Sequence, residues 1–405
     1  MKLKREKYLK LIRPYYDVDL IKVITGVRRA GKSVLLDTIR EELLDRGTDS
    51  AHIVYFNLED LDFSYIRTAQ DLHSVVKDYI KDGEKYYIFL DEIQHIDEFE
   101  KALASLRNNN VSLFVTGSNS TLLSGELATL LTGRTVEFEV LPFSFSEMAE
   151  YFKINGREFN DDKIYDYLKW GGFPLRFEFQ DEASVKKYVK GLYESIVTRD
   201  ILSPKMMKNQ QLFRDISLYV LANAGKEFSA ENIAEYYRQK FGRTVSVRTI
   251  YNYLEKMKKA YLLHAVTKYY LSGKSSLGTR EKYYATDTGF RTINTNTIDF
   301  EDTFFLENII YNELISRGYT VFTGRTYKAE VDFVVIKDGK KCFIQVAYLL
   351  ASPATVEREF AAFKQVADAA PKYVFSLDKI DFSHNGISHF NIVDFLLHRQ
   401  ELVFM

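Results

Sequence analysis

Two short stretches of the chain carry residue types at spacings suited to work on a phosphate ester. Gly26-Val27-Arg28-Arg29-Ala30-Gly31-Lys32-Ser33 follows the pattern GxxxxGKS. In such a loop the glycines let backbone N–H groups turn inward around phosphate oxygens, the lysine reaches the terminal phosphates, and the serine hydroxyl faces a divalent cation. The loop residues and Val34 behind them are therefore the expected nucleotide contacts. The second stretch, Tyr87-Ile88-Phe89-Leu90-Asp91-Glu92, is an apolar run that ends in adjacent carboxylates. A buried strand of this kind presents Asp91 to a metal ion and Glu92 to a water molecule. Ser33 and Asp91 are the expected Mg2+ ligands, and Glu92 the group that orients or deprotonates the attacking water. ATP with Mg2+ is the ligand pair that this chemistry implies.

Such residues need a rigid frame, and the hydrophobic pattern supplies one. DLIKVI from Asp19 runs as a strand into the glycine-rich turn, and SVLLDTIREELLDRG then reads as a helix ending at Gly47. Further β-type runs begin near His52, Tyr86, Val111 and Thr135, with helix-like segments between the first of them. Strands alternating with helices predict a parallel sheet in an α/β core. A helix-rich stretch follows from about Ser146 to Lys205.

Between about Gln210 and Arg291 the pattern changes to three helical segments. They precede two β-prone runs, AYLLHAVTKYY and EKYYATD, around a Ser/Gly/Lys turn, which is the order of a winged helix. Beyond a polar joint at Asn294 to Asp302, a helix (FFLENIIYNELISRG) leads to strands TVFTGR, AEVDFVVIK and KCFIQVAYL, a helix around Val356 to Ala369, and a strand YVFSL. The expected division is 1–145, 146–208, 209–292 and 293–405.

At 405 residues, with 46% hydrophobic and 27% charged residues, the chain has the balance of a globular protein of several domains. Its formal net charge of −1 excludes a polycation drawn to nucleic acid by total charge, although a basic face can exist within a balanced total. A single cysteine, Cys342, excludes an internal disulfide framework or a CxxC metal motif and fits a reducing compartment. The basic N-terminus lacks the apolar core of a signal peptide, and no stretch approaches the length of a membrane span. The expected location is the cytoplasm, with no membrane partner.

IKVITGVRRAGKSVLL, LDEIQ, TGSNSTLLSGELATLLTGR, LPFSFSE and WGGFP together resemble a family of bacterial and archaeal AAA-type ATPases. The resemblance implies an AAA+ P-loop core, a helical lid, a winged helix and a terminal α/β domain similar to the PD-(D/E)XK nuclease fold. By likeness to AAA+ ATPases, Ser118 or Asn119 in TGSN is the expected polar sensor of the γ-phosphate. Arg134, just before the fifth strand, is the expected arginine finger for a neighbouring subunit, a role that implies a homo-oligomer; a pairing within its own subunit is the alternative.

A PD-(D/E)XK site needs an Asp and a Glu or Gln on adjacent strands for Mg2+, with a Lys two residues on. Glu307, Asp332 and Gln345 are the candidates here, but Ala347 stands where the lysine belongs. Lys341 or Lys328 would have to substitute, and a degenerate site kept for binding or assembly is the preferred reading. Glu330 reads as a solvated strand residue.

In the third helix of the winged-helix region, Arg248, Lys256, Lys258 and Lys259 are candidate DNA contacts, with Lys268, Lys274, Arg280 and Lys282 in or near the wing. Complementing the helix dipole would explain the same lysines. Three functions follow: an ATPase that moves this module on DNA, a nucleotide-gated switch that recruits a protein partner, and an ATP-regulated nuclease.

Overall fold

Ile21–Thr25 is apolar apart from Lys22 and Thr25, and it is buried along its whole length as strand β1. The computed structural model describes residues 1–107, 110–120, 131–202, 210–271, 281–293, 303–325 and 330–404. They form two compact units, Met1–Leu141 with Lys259–Tyr261, and Pro142–Lys258 with Leu262–Met405.

In the first unit β1 is joined by β2 (Ile53–Asn57), β3 (Tyr86–Asp91), β4 (Val111–Thr116) and β5 (Thr135–Glu139). The order is β2-β3-β4-β1-β5, and every pairing is parallel. Burial follows position. The three inner strands are buried at every residue, whereas edge strand β2 alternates, as expected for a sheet covered on both faces. Among the described residues, the α-helices of this unit are α1 (Glu6–Ile12), α2 (Lys32–Asp45), α3 (Ala69–Tyr79) and α4 (Phe99–Leu106). The aliphatic core on one side gathers Val54, Ile88, Leu90, Leu72, Val76 and Leu103. Lys4, Arg13 and Tyr16 all converge on Glu42 of α2, so the N-terminal segment grips the helix that follows the glycine-rich loop.

The second unit begins with α5 (Phe145–Ile154), α6 (Lys163–Trp170) and α7 (Glu182–Ile196). LPFSFSE is explained by a capping box: Ser144 and Glu147 bond each other's backbone N–H groups at the start of α5. WGGFP is explained by close approach. Gly171 has φ +69°, and a Cβ there would fall 1.8 Å from Asp287 Oδ1. Asp287 accepts N–H bonds from Gly172 at 2.7 Å and Gly289 at 2.8 Å. Burial lifts this carboxyl to about 6, against the two N–H bonds and Arg176.

Helices α8 (Gln210–Ala222), α9 (Ala230–Phe241) and α10 (Val247–Lys259) follow, then β6 (Leu263–Val266), β7 (Lys268–Tyr270) and β8 (Lys282–Ala285). The two β-prone runs around the Ser/Gly/Lys turn do not simply pair with each other. Only β6 pairs with β8, whereas β7 leaves to run parallel to β9 (Thr320–Arg325). Short α11 (Gly289–Thr292) and α12 (Thr303–Ser316) precede β10 (Glu330–Lys337), β11 (Lys340–Val346), α13 (Pro353–Ala361), β12 (Lys372–Ser376), β13 (Ile387–Asn391) and α14 (Ile392–Leu396). The sheet order is β13-β12-β11-β10-β9-β7. β13 and α14 have no counterpart in the sequence reading. Helix α12 is buried on nearly every side, with Glu307, Asn308 and Glu313 among its buried residues.

Candidate functional site

β1 ends at Thr25 and α2 begins at Lys32, so Gly26–Gly31 is the loop between them. Gly26 has φ +128°, and a Cβ there would sit 2.2 Å from the Val140 carbonyl oxygen; no other residue fits. Gly31 caps α2 in the left-handed region, and Arg29 also has positive φ. The first turn of α2 contains no acidic residue, leaving its N–H groups and positive dipole end for an anion. Lys32 is buried, and its ammonium donates to the loop's own carbonyls, Gly26 at 2.9 Å and Val27 at 3.2 Å. Ser33 and Val34 are exposed at the helix start.

β3 lies two strands from β1, with β4 between them. Asp91 closes β3 and is 2% exposed. One of its oxygens accepts from Tyr55 Oη at 2.8 Å, the other from Thr116 Oγ1. Glu92 turns into the left-handed region at φ +56°, and its N–H donates to the same Thr116 oxygen at 2.9 Å. Its carboxylate accepts from Gln94. Thr116 thus fixes both acidic residues from the end of β4, and Tyr55 steadies Asp91 from β2. Burial and the neighbouring Asp91 push the Tyr55 phenol well above its ordinary range, so it remains a donor. These residues fit a hydrated Mg2+: an oxygen-only set of Ser33 and Asp91 at the end of a parallel sheet is the donor type that this ion takes.

Neither Thr116 nor Tyr55 figured in the sequence reading. A threonine closing an apolar strand was the available signal for Thr116; Tyr55 gave none, because its role depends on strand order. Arg5 was also missed. Its guanidinium donates to the Ala30 carbonyl at 3.0 Å and lies over the Tyr8 ring.

Ser118 is buried and Asn119 half-buried just beyond β4. Arg28 is buried and reaches Glu59 at 3.4 Å. Arg134 is exposed at the start of β5, where Thr135 pairs with Ile21. That is the opposite end of β1 from the loop, roughly 16 Å along the strand. Within its own chain Arg134 therefore stands away from the phosphate site.

In the second unit the structure brings Glu307, Asp332 and Gln345 together and adds a lysine from an unexpected place. Lys282 on β8, read as a wing cation, is 4% exposed, with Nζ 2.6 Å from Glu307 Oε2 and 3.8 Å from Asp332 Oδ1. Its exposure corrects the DNA-contact reading for this residue: a side chain buried in an ion pair cannot lie on a duplex. Lys268 is likewise paired, with Glu227 at 2.7 Å. Two carboxyls share one ammonium in a buried cluster: burial raises both above the ordinary carboxylate range, the Asp332 charge raises Glu307 further, and Lys282 opposes in both.

Lys341 pairs with Asp368 instead, and Lys328, Lys274 and Arg280 lie outside the described residues. Glu330 is partly exposed near Arg325 and Lys282. On α10, Arg248 and Lys259 are exposed, Lys256 half-buried, and Lys258 paired with Glu255.

A family profile for an AAA domain matches residues 19–149, and one for a domain of unknown function matches 161–298. An uncharacterized protein of Haemophilus influenzae is 35% identical over 351 residues, covering 85% of this chain and 87% of that one. An uncharacterized protein of Methanocaldococcus jannaschii is 30% identical over 390 residues, covering 92% and 85%. Among solved structures, the Walker-type ATPase of Pyrococcus abyssi aligns at 16% identity over 72% of this chain and 95% of that one, with a TM-score of 0.48. AMPPCP-bound DnaA from Aquifex aeolicus aligns at 14% identity over 62% and 86%, with a TM-score of 0.31. No described helix is long and apolar enough to cross a membrane.

Proposed function

We propose that this chain, which belongs to one family with the Haemophilus influenzae and Methanocaldococcus jannaschii proteins and matches an AAA domain over residues 19–149, is a Mg2+-dependent ATPase. The carrying observation is that Thr116 binds both Asp91 and the Glu92 backbone at the sheet end where the Gly26–Gly31 loop opens.

Lys32 exchanges its two carbonyl partners for phosphate oxygens, to which an ammonium bonds more strongly. Loop N–H groups and the start of α2 hold the remaining phosphate charge. Bound Mg2+ would supply Lewis acidity at the phosphates, held by Ser33 and Asp91. Glu92 holds the attacking water and takes its proton, and its left-handed backbone is fixed by Thr116. Ser118 and Asn119 are proposed as the polar groups that report the terminal phosphate, and Arg134 as a group offered to a second copy of the chain, since its own site lies at the far end of β1.

The second unit is proposed to contain a helical lid (146–208), a winged helix (209–292) and a PD-(D/E)XK-like domain (293–405). Hydrolysis would move this unit on DNA in the cytoplasm, with Arg248, Lys256 and Lys259 contacting phosphates. The reading is supported by three helices followed by the β6–β8 pair.

The test measures ATP binding and turnover in wild type, Lys32→Ala and Glu92→Gln, with and without duplex DNA at low salt. Lys32→Ala should lose binding, and Glu92→Gln should bind normally but turn over at least about a hundredfold more slowly. Equal turnover in wild type and Glu92→Gln would refute the catalytic assignment. DNA should raise turnover in a salt-sensitive way; no response at low salt would leave the protein-recruiting switch in its place.

A further inference from the structure

The resemblance to PD-(D/E)XK nucleases implies a divalent metal among Glu307, Asp332 and Gln345, and the residues do not fit one. We propose that the Lys282 ammonium is the resident cation of this cluster, occupying the place of a metal and fastening β8 to α12 and β10 as a metal-free joint. None of these residues belongs to the nucleotide site, so the proposal stands or falls independently of the ATPase reading.

Position decides first. Lys282 Nζ is 2.6 Å from Glu307, 3.8 Å from Asp332 and 3.9 Å from Glu330. An ion bridging those oxygens would need to lie about 2.0–2.6 Å from them, in the volume that the ammonium fills. The lysine cannot easily retreat, because its strand is sewn to α12. Asn308 bonds both backbone groups of Ala285, accepting at 2.9 Å and donating at 2.7 Å, and Asn312 donates to the Ala285 and Thr286 carbonyls.

The neighbouring polar groups hold the acids in this arrangement around the ammonium. Asp332 Oδ2 accepts from the Val346 N–H at 2.8 Å. Gln345 turns its oxygen toward the Asp332 N–H and its nitrogen toward Glu359. Glu359 is also gripped by Arg358, and Glu307 accepts from Tyr284 as well. Among the described residues no group of three or more His, Cys, Asp or Glu is arranged to hold a metal. Ala347, where a nuclease would carry lysine, is buried in an apolar cluster with Phe343, Leu350 and Phe363. The ammonium that faces these acids comes instead from β8.

Mn2+ is titrated into the full chain without nucleotide, followed by electron paramagnetic resonance. Wild type and Lys282→Met are each compared with and without Asp332→Asn. Wild type should show no Mn2+ site that depends on Asp332; Lys282→Met should gain one per chain and lose it with Asp332→Asn. An Asp332-dependent site in wild type, or a folded Lys282→Met that gains none, overturns the proposal. If Lys282→Met unfolds, the double variant Lys282→Met/Glu307→Gln decides. A double variant that folds and melts cooperatively supports the ion-pair role, because the acid left unpaired is then gone, whereas a double variant that also stays unfolded refutes it.

Discussion

Replacing Lys22 by Met should stabilise the protein, and by an amount that shrinks as pH rises. Lys22 lies within β1 and is 0% exposed, with its ammonium 2.6 Å from Ser112 Oγ and over the Phe114 ring. Burial, helped by Lys85 and opposed by Asp17 and Asp19, lowers its pKa from 10.5 to about 7. Above pH 10.5 the amine is neutral whether the chain is folded or not, and no ionisation cost arises. Between there and about 7 the unfolded chain binds a proton that the folded chain does not, so stability falls as pH falls; below about 7 the cost is complete. At about 1.36 kcal/mol per unit the interval corresponds to on the order of 5 kcal/mol. Relaxation around the ammonium reduces this, and about 2–4 kcal/mol should be measurable. Methionine has similar length and no charge, so it fills the same space. Urea unfolding of both proteins at about pH 7 and about pH 9.5 reads the effect directly. The advantage of Lys22→Met should be large at the lower pH and mostly gone at the higher. Parallel stability curves would show that Lys22 is not a destabilising buried cation.

Thr116→Val keeps the shape of the side chain but leaves Asp91 and the Glu92 N–H without their shared partner. It should cost about 2–4 kcal/mol and slow turnover at least tenfold or so with little change in KM; Thr116→Ser should restore both, and unaltered kinetics would remove Thr116 from the catalytic arrangement. Gly171→Ala drives a Cβ into Asp287 at a positive φ, and a loss of about 3–5 kcal/mol in thermal or denaturant unfolding is expected. A silent substitution there would contradict the Asp287 latch. Arg5→Ala withdraws the buttress from the Ala30 carbonyl and should weaken ATP binding about five- to tenfold in a fluorescent-nucleotide titration. Unchanged affinity would show that the loop keeps its form without it.

The phosphate loop and the acidic strand end were legible because their chemistry is local. Gly26, Gly31, Lys32 and Ser33 are adjacent in the chain, and a run of four apolar residues followed by Asp91 and Glu92 describes a buried strand and what it presents. Strand pairing was not legible beyond Val266 because β-propensity marks Lys268–Tyr270 as a strand without saying which sheet it joins.

What the sequence determined by itself was therefore the phosphate-binding chemistry, the parallel α/β core and the order of segments behind it, all carried by short-range spacing and periodicity. Tertiary structure alone decided which side chains complete each site. Thr116 reaches Asp91 because β4 inserts between β1 and β3, and Asp287 holds Gly172 from 115 positions away. Lys282 meets Glu307 because α12 packs on β8. The sequence placed Lys282 in or near a wing, whereas the structure buries it against Glu307. Only burial, which depends on what the rest of the chain places around a residue, could show that its partner was a carboxylate and not a phosphate.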